Sequence, residues 1–353
     1  MREGVGETRF PRMFTSDIHA ATPRNDKLGF SWEGAALPNP PQGGGWGNPV
    51  SPCPNRWWER LAPPQAGVRF DRLTAGGEPR VPRIFTSVTM ITSVTNPTIK
   101  RLRALRQRKA REESGLCLVE GIRLVAEAVQ CGARVEHLLV APALLTSPFA
   151  RDLVAAQVAA GTSILELSPD VFASLAQKED PQGLAAVVRR HFARLVDLPR
   201  DRRPGPVALL EPADPGNLGA IIRTADAVGA AGVIVLGPAV DPYDPAALRA
   251  SMGAVFALPI VRASWEDFVA WKRATGLPLI GTSDKAPTSF QAVVYPQPAV
   301  LLMGSERAGL APEHQAHCDL MVAIPMRGRS DSLNLAVATG VMLYELLRQC
   351  GAT

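Results

Sequence analysis

Val207-Ala208-Leu209-Leu210-Glu211-Pro212-Ala213-Asp214-Pro215-Gly216-Asn217-Leu218-Gly219-Ala220-Ile221-Ile222-Arg223-Thr224-Ala225-Asp226 is the stretch whose reading decides the fold class. A short continuous apolar run, a tight Pro/Gly loop and then apolar residues at helical spacing read as strand, loop and helix. Leu218, Ile221, Ile222, Ala225 and Gly229 share one face, which leaves Arg223 on the far side with its guanidinium available. Spacing alone leaves Arg223 open between a surface arginine of an amphipathic helix and a functional cation. Gly216 and Gly219 do not complete a G-x-G-x-x-G, so the dinucleotide-binding fingerprint is missing where it belongs.

Outward from this unit, further strands are expected at 233–236, 279–281, 300–303 and 321–324. Their apolar runs are continuous rather than alternating, which implies an α/β domain over 207–353 with a mostly parallel sheet covered on both faces. Toward the N-terminus, 116–119, 137–140 and 163–167 read as strands and 122–129 and 149–159 as helices, giving a small α/β domain over 90–190. Residues 191–206 are polar and Pro-rich and read as a linker. Residues 1–89 differ in kind, with 12 Pro, 11 Gly, four of the six Trp and no apolar periodicity, so they are expected to be unstructured. Met90 is a candidate true start, which would make the preceding stretch a mis-assigned reading frame.

Composition narrows the class further. With 46% hydrophobic and 20% charged residues, the 353-residue chain has the makings of two buried cores. Five widely spaced cysteines without a C-x-x-C fit neither a disulfide framework nor a zinc knuckle, and no metal is expected. No apolar run of membrane-spanning length and no signal-type leader is visible, so the expected location is the cytoplasm. The net charge of +5 becomes informative because it is concentrated. Lys100, Arg101, Arg103, Arg106, Arg108, Lys109 and Arg111 fall within twelve positions, offset only by Glu112 and Glu113. An exposed cationic helix attracts phosphate, and these seven are the candidate nucleic-acid contacts.

Two loops near the C-terminus follow expected strands: Leu302-Met303-Gly304-Ser305-Glu306-Arg307-Ala308-Gly309-Leu310, and Ile324-Pro325-Met326-Arg327-Gly328-Arg329-Ser330-Asp331-Ser332-Leu333-Asn334. In α/β sheets ligands bind at the carboxyl ends of strands, which makes both loops site candidates by position. The helix expected over 333–347 is apolar nearly all round, with Asp331 or Ser332 placed to cap it, and such a helix calls for burial on every side, as a dimer would supply.

These three blocks resemble, in order, the three signature motifs of the SpoU (TrmH) family of RNA ribose 2′-O-methyltransferases. Asn217, Gly219 and Arg223 match the first, Gly304, Glu306 and Gly309 the second, and Ile324-Pro325-Met326, Gly328 and Ser332-Leu333-Asn334 the third. Residues from about 93 to 189 resemble the L30e-like substrate-binding domain of the longer members. The resemblance implies an S-adenosylmethionine-dependent enzyme with a C-terminal trefoil knot (SPOUT) domain, working as a homodimer on RNA, most of all on 23S-type ribosomal RNA. It implies cofactor contacts by Leu302, Gly304, Gly309, Ile324, Met326 and Leu333. It also implies a catalytic group of Arg223, Asn217, Glu306, Ser332 and Asn334, with Arg223 either taking the 2′-hydroxyl proton or holding phosphate and developing negative charge. A tRNA methyltransferase and a catalytically silent RNA-binding or assembly protein are the alternatives.

Removing residues 1–89 is expected to leave the thermal unfolding midpoint and methyl transfer unchanged, because a stretch without periodicity offers no core to lose. A lower midpoint in the truncated chain, read by calorimetry, would show that the segment packs.

Overall fold

The structure is a computed structural model that describes residues 90–350, so the expectation for 1–89 lies outside the described residues. Among the described residues, five helices announce themselves by one signature, an Asx or Ser cap followed by proline at the first helical position. Asn96-Pro97 starts α1 (Pro97–Ala104), Ser147-Pro148 starts α4 (Pro148–Ala159) and Ser168-Pro169 starts α5 (Pro169–Leu175). Asp214-Pro215 starts α6 (Pro215–Ala227) and Asp244-Pro245 starts α7 (Pro245–Ser251). In each, the side-chain oxygen accepts an otherwise orphaned amide of the first turn, and proline gives up an N–H that has no partner there.

The first sheet holds β1 (Leu116–Glu120), β2 (Val135–Val140), β3 (Ser163–Glu166) and β4 (Leu184–Arg189) in the order β1-β4-β2-β3, flanked by α1, α2 (Arg108–Ser114), α3 (Ile122–Gln130), α4 and α5. The expected strands are present, but the central one, β4, has no counterpart in the sequence reading. Its run Leu184-Ala185-Ala186-Val187-Val188 is buried throughout, antiparallel to both β1 and β2. Alanines are poor strand formers, and here their neighbours on both sides decide the conformation.

The second sheet is parallel throughout: β10 (Leu320–Val322), β8 (Leu279–Thr282), β9 (Val300–Met303), β5 (Val207–Leu210), β6 (Val233–Leu236) and β7 (Ile260–Ala263), in that order. Apolar clusters lie on both faces, one including Val207, Leu209, Ile221 and Met342, the other Ala208, Ile234, Phe268 and Trp271. The remaining helices are α8 (Trp265–Thr275), α9 (Pro312–Gln315) and α10 (Leu335–Cys350). β7 was not foreseen either, its four residues carrying Arg262 in an edge strand. Gly229 lies beyond the end of α6 at φ 70° and not on its apolar face, the left-handed backbone being one that glycine adopts without strain. Gly219 serves packing: a Cβ there would lie 2.4 Å from the Ala247 carbonyl oxygen, so α6 and α7 touch backbone to backbone.

Residues 191–206 are no loose tether. The Ala193 amide donates to the Ile260 carbonyl, and Leu198 is buried against the second sheet. Tyr243 joins the two sheets' neighbourhoods as well. Burial pushes its hydroxyl well above the usual range, so it stays protonated and donates to the His191 carbonyl at 2.7 Å.

The basic segment is corrected by the structure. It forms two short helices, α1 and α2, and much of its charge is spent inside the molecule. Arg111 is 1% exposed: its Nε donates to Asp241 Oδ2 at 2.7 Å and its Nη2 to Asp244 Oδ2 at 3.1 Å, while Nη1 binds the carbonyls of Leu105 and Arg106. A guanidinium so enclosed cannot meet a phosphate. Arg103 and Arg106 donate to Ser174 and to the carbonyls of Ser174 and Ala176, the negative end of α5. Arg108 bonds Glu112 and the Ala239 carbonyl. Lys100, Arg101 and Lys109 remain exposed, Lys109 with only a 3.8 Å pairing to Glu113.

Gly219→Ala is expected to destabilise the fold by about 1–3 kcal/mol, the range for overpacking a close contact. Urea unfolding measures this, and an unchanged midpoint would mean that α6 and α7 can separate freely.

Candidate active site

A parallel sheet sends every strand's carboxyl end to one side, so the loops after β5, β8, β9 and β10 converge there. Together they line an open cleft of about 750 Å3, within the range of small-ligand sites. The hairpin after β9 closes through the Ser305 amide donating to the Gly309 carbonyl at 3.0 Å and the Gly309 amide donating to the Ser305 carbonyl at 2.9 Å. Gly304 is what permits it, since a Cβ there would sit 2.2 Å from the Gly309 carbonyl carbon. Gly304, Gly309, Ile324, Met326 and Leu333 all line this cleft. Leu302 does not: it is fully buried in β9, in the core one residue before the cleft-lining Met303.

The mouth of the cleft is organised by one carboxylate. Glu306 accepts the Ala213 amide at 2.9 Å, the Asp214 amide at 3.4 Å and Asn217 Nδ2 at 2.9 Å. Asn217 Oδ1 in turn accepts Asn334 Nδ2 at 2.9 Å. Asn334 Oδ1 then accepts the amides of Ala336 and Val337 at 2.9 and 3.3 Å. Asn334 is therefore the cap of α10, in place of the Asp331 or Ser332 expected from sequence, and one polar chain ties the loops after β5, β9 and β10 together. Ser332 lies exposed on the rim of the same cleft.

Arg223 lies apart from this group. It is exposed on α6, does not line the cleft, and has no hydrogen bond or ion pair among the described residues. The sequence reading overlooked Thr282, Ser283, Asp284 and Lys285, which line the cleft after β8. The signal was available, because they too follow a buried parallel strand. Among the described residues no group of His, Cys, Asp and Glu could hold a metal ion, and no helix is long and apolar enough to cross a membrane.

The cleft fits S-adenosylmethionine in its donor set: the apolar side chains of Ile324, Met326 and Leu333 beside glycine-opened backbone that can present amides and carbonyls to a purine edge. Comparison with known proteins agrees. Residues 206–344 match the SpoU rRNA Methylase family and residues 96–186 the MRM3-like substrate binding domain. The chain is 38% identical over 249 residues to a 23S rRNA (uridine(2479)-2′-O)-methyltransferase of Streptomyces viridochromogenes, covering 69% of this chain and 86% of that one. It is 30% identical over 240 residues to the 23S rRNA (guanosine(2553)-2′-O)-methyltransferase RlmP of Bacillus subtilis, covering 68% and 91%. Among solved structures, an AdoMet-bound rRNA methyltransferase from Sinorhizobium meliloti is similar with a TM-score of 0.67 and 39% identity, covering 74% of this chain and 98% of that one. Loops gathered by a parallel sheet, motif residues joined by one hydrogen-bonded chain, and full-length relatives of the same kind lead to one conclusion: the chain belongs to the SpoU family of methyltransferases.

Proposed function

We propose that the protein methylates a ribose 2′-hydroxyl of large-subunit, 23S-type ribosomal RNA, in the cytoplasm. The observation that carries this reading is the chain from Glu306 through Asn217 to Asn334, which unites the three motif segments at the mouth of a cleft suited to S-adenosylmethionine. When bound, that cofactor supplies a methyl group on a sulfonium, and its transfer to oxygen is a task dominated by positioning. Gly304, Ile324 and Leu333, with Gly309 and Met326, would hold the adenosyl part. Glu306, Asn217, Ser332 and Asn334 would order the ribose side. A guanidinium stays protonated and has no acceptor, so Arg223 is assigned to gripping substrate phosphate and stabilising negative charge as it develops on the 2′-oxygen.

The same reading makes the enzyme a homodimer. Arg223 stands outside its own chain's cleft, and Leu333, Val337 and Tyr344 beside and along α10 are 37%, 52% and 56% exposed, an apolar set that a second copy would cover. It also includes a trefoil knot over 207–353, consistent with the way the chain after β8 is tied to the chain after β10 through Ser283, Thr288 and Phe290. Residues 90–190 serve as the RNA-docking domain, with the exposed Lys100, Arg101 and Lys109 as its phosphate contacts.

Tritiated-methyl incorporation into ribosomal RNA, with transfer RNA as the comparison, tests the reading, and labelling of transfer RNA alone would overturn the substrate assignment. Arg223→Ala is expected to lower turnover by about 100-fold or more, about 2.7 kcal/mol, with S-adenosylmethionine affinity within a few-fold. Near-normal turnover would remove Arg223 from the reaction. Reversing Lys100, Arg101 and Lys109 to Glu is expected to raise KM for RNA and to flatten the log–log salt dependence by up to about one unit per lost phosphate contact. An unchanged slope would move the docking surface elsewhere on residues 115–190.

A further inference from the structure

We propose that the ion cluster of buried Arg111, Asp241 and Arg190 with half-buried Asp244 is a positioning element for the reaction, holding Glu306 and Asn217 in register from the substrate-binding domain. This inference rests on the methyltransferase reading and assigns a role in it to residues that line no part of the cleft. Arg111 and Asp241 are each about 1% exposed in their side chains, and Arg190 Nη1 adds a second cation to Asp241 Oδ2 at 3.2 Å. Buried charges cost solvation that only close pairing offsets, so the cluster holds its geometry tightly and fixes what it grips.

It grips two things. The first is the loop after β6: Asp241 lies in it, and Arg108 Nη1 holds the Ala239 carbonyl at 2.7 Å. Between them, the Val240 amide donates to the Pro212 carbonyl at 3.0 Å. The next residue along, Ala213, donates its amide to Glu306. Glu211, immediately before, is held at φ 47°, a left-handed conformation that a non-glycine residue keeps only when its surroundings impose it. The second is Asp244, which takes Arg111 Nη2 on one oxygen and caps α7 with the other, accepting the Ala246 amide at 2.9 Å. α7 meets α6 at Gly219, one turn or less from Asn217. Both routes from Arg111 end on the residues that set the Glu306 carboxylate, one through the amides it accepts and one through the helix that carries Asn217.

Hydrogen exchange and steady-state kinetics on the full chain decide the matter, using Arg111→Lys, which keeps the charge and loses the two-pronged grip, and Arg108→Ala, whose half-exposed side chain leaves the core intact should the first variant fold poorly. In Arg111→Lys the Ala213 and Asp214 amides should exchange about tenfold faster while β9 and α10 keep parental protection. Its kcat should fall about tenfold, with KM for ribosomal RNA and the S-adenosylmethionine Kd within about twofold. Arg108→Ala should show the same pattern at about threefold. The proposal is overturned if those two amides keep parental protection in both variants, if the lost rate merely follows a lost folded fraction, or if the whole effect lies in KM for RNA. A parental chain that methylates no RNA would sink the proposed function instead, and the exchange result would then stand as the test of the coupling.

Discussion

Glu306 is exposed, yet the arrangement of the second sheet's functional end depends on it. Its two oxygens accept amides from the chain leaving β5 and the side-chain amide of Asn217 on α6. A carboxylate that accepts three N–H donors is a strong organiser, since each bond to an ionised acceptor is worth more than one between neutral groups. Three segments far apart in sequence, 213–217, 304–309 and 334–337, have no local reason to meet. They meet because the parallel sheet brings their strands' ends together and because Glu306 and Asn217 each have the second hydrogen-bonding atom needed to continue the chain.

That arrangement places different demands on different glycines. Gly304 lets a hairpin close upon itself, and Gly219 lets two helices touch. Neither needs to contact a ligand to be indispensable, and the motif that contains each is as much a packing motif as a binding one. The cleft's shape is thus a consequence of backbone approach, with the chemistry of its wall supplied by the few side chains that the backbone leaves facing inward.

The basic segment shows how composition and structure divide a single feature. Seven cations in twelve positions are legible as charge, and of these Lys100, Arg101, Arg108 and Lys109 remain exposed, Arg108 with its guanidinium engaged by Glu112 and the Ala239 carbonyl. Arg111 is buried against carboxylates 130 and more residues away, while Arg103 and Arg106 close the end of α5. Arginine suits such places because its five donors in a fixed plane can satisfy carboxylates and carbonyls at once. Nothing in the spacing of the seven distinguishes the cation that faces water from the one that meets Asp241.

The sequence by itself determined the α/β class, the parallel character of the second sheet, and the loops after β9 and β10 as walls of the cleft, though not the loop after β8, because each of these follows from local rules: apolar runs and the position of loops after buried strands. It missed β4 and β7, whose short runs carry alanine and arginine and become strands only between neighbours already in place. It named Asn217, Glu306 and Asn334 singly and placed Leu302 beside them. Only the tertiary structure decided that the first three form one chain while Leu302 faces the core and Arg223 stands apart. The reason is physical: a strand alternates its side chains between faces and a helix distributes them around its axis, so which of two adjacent residues reaches a site depends on what packs against the other.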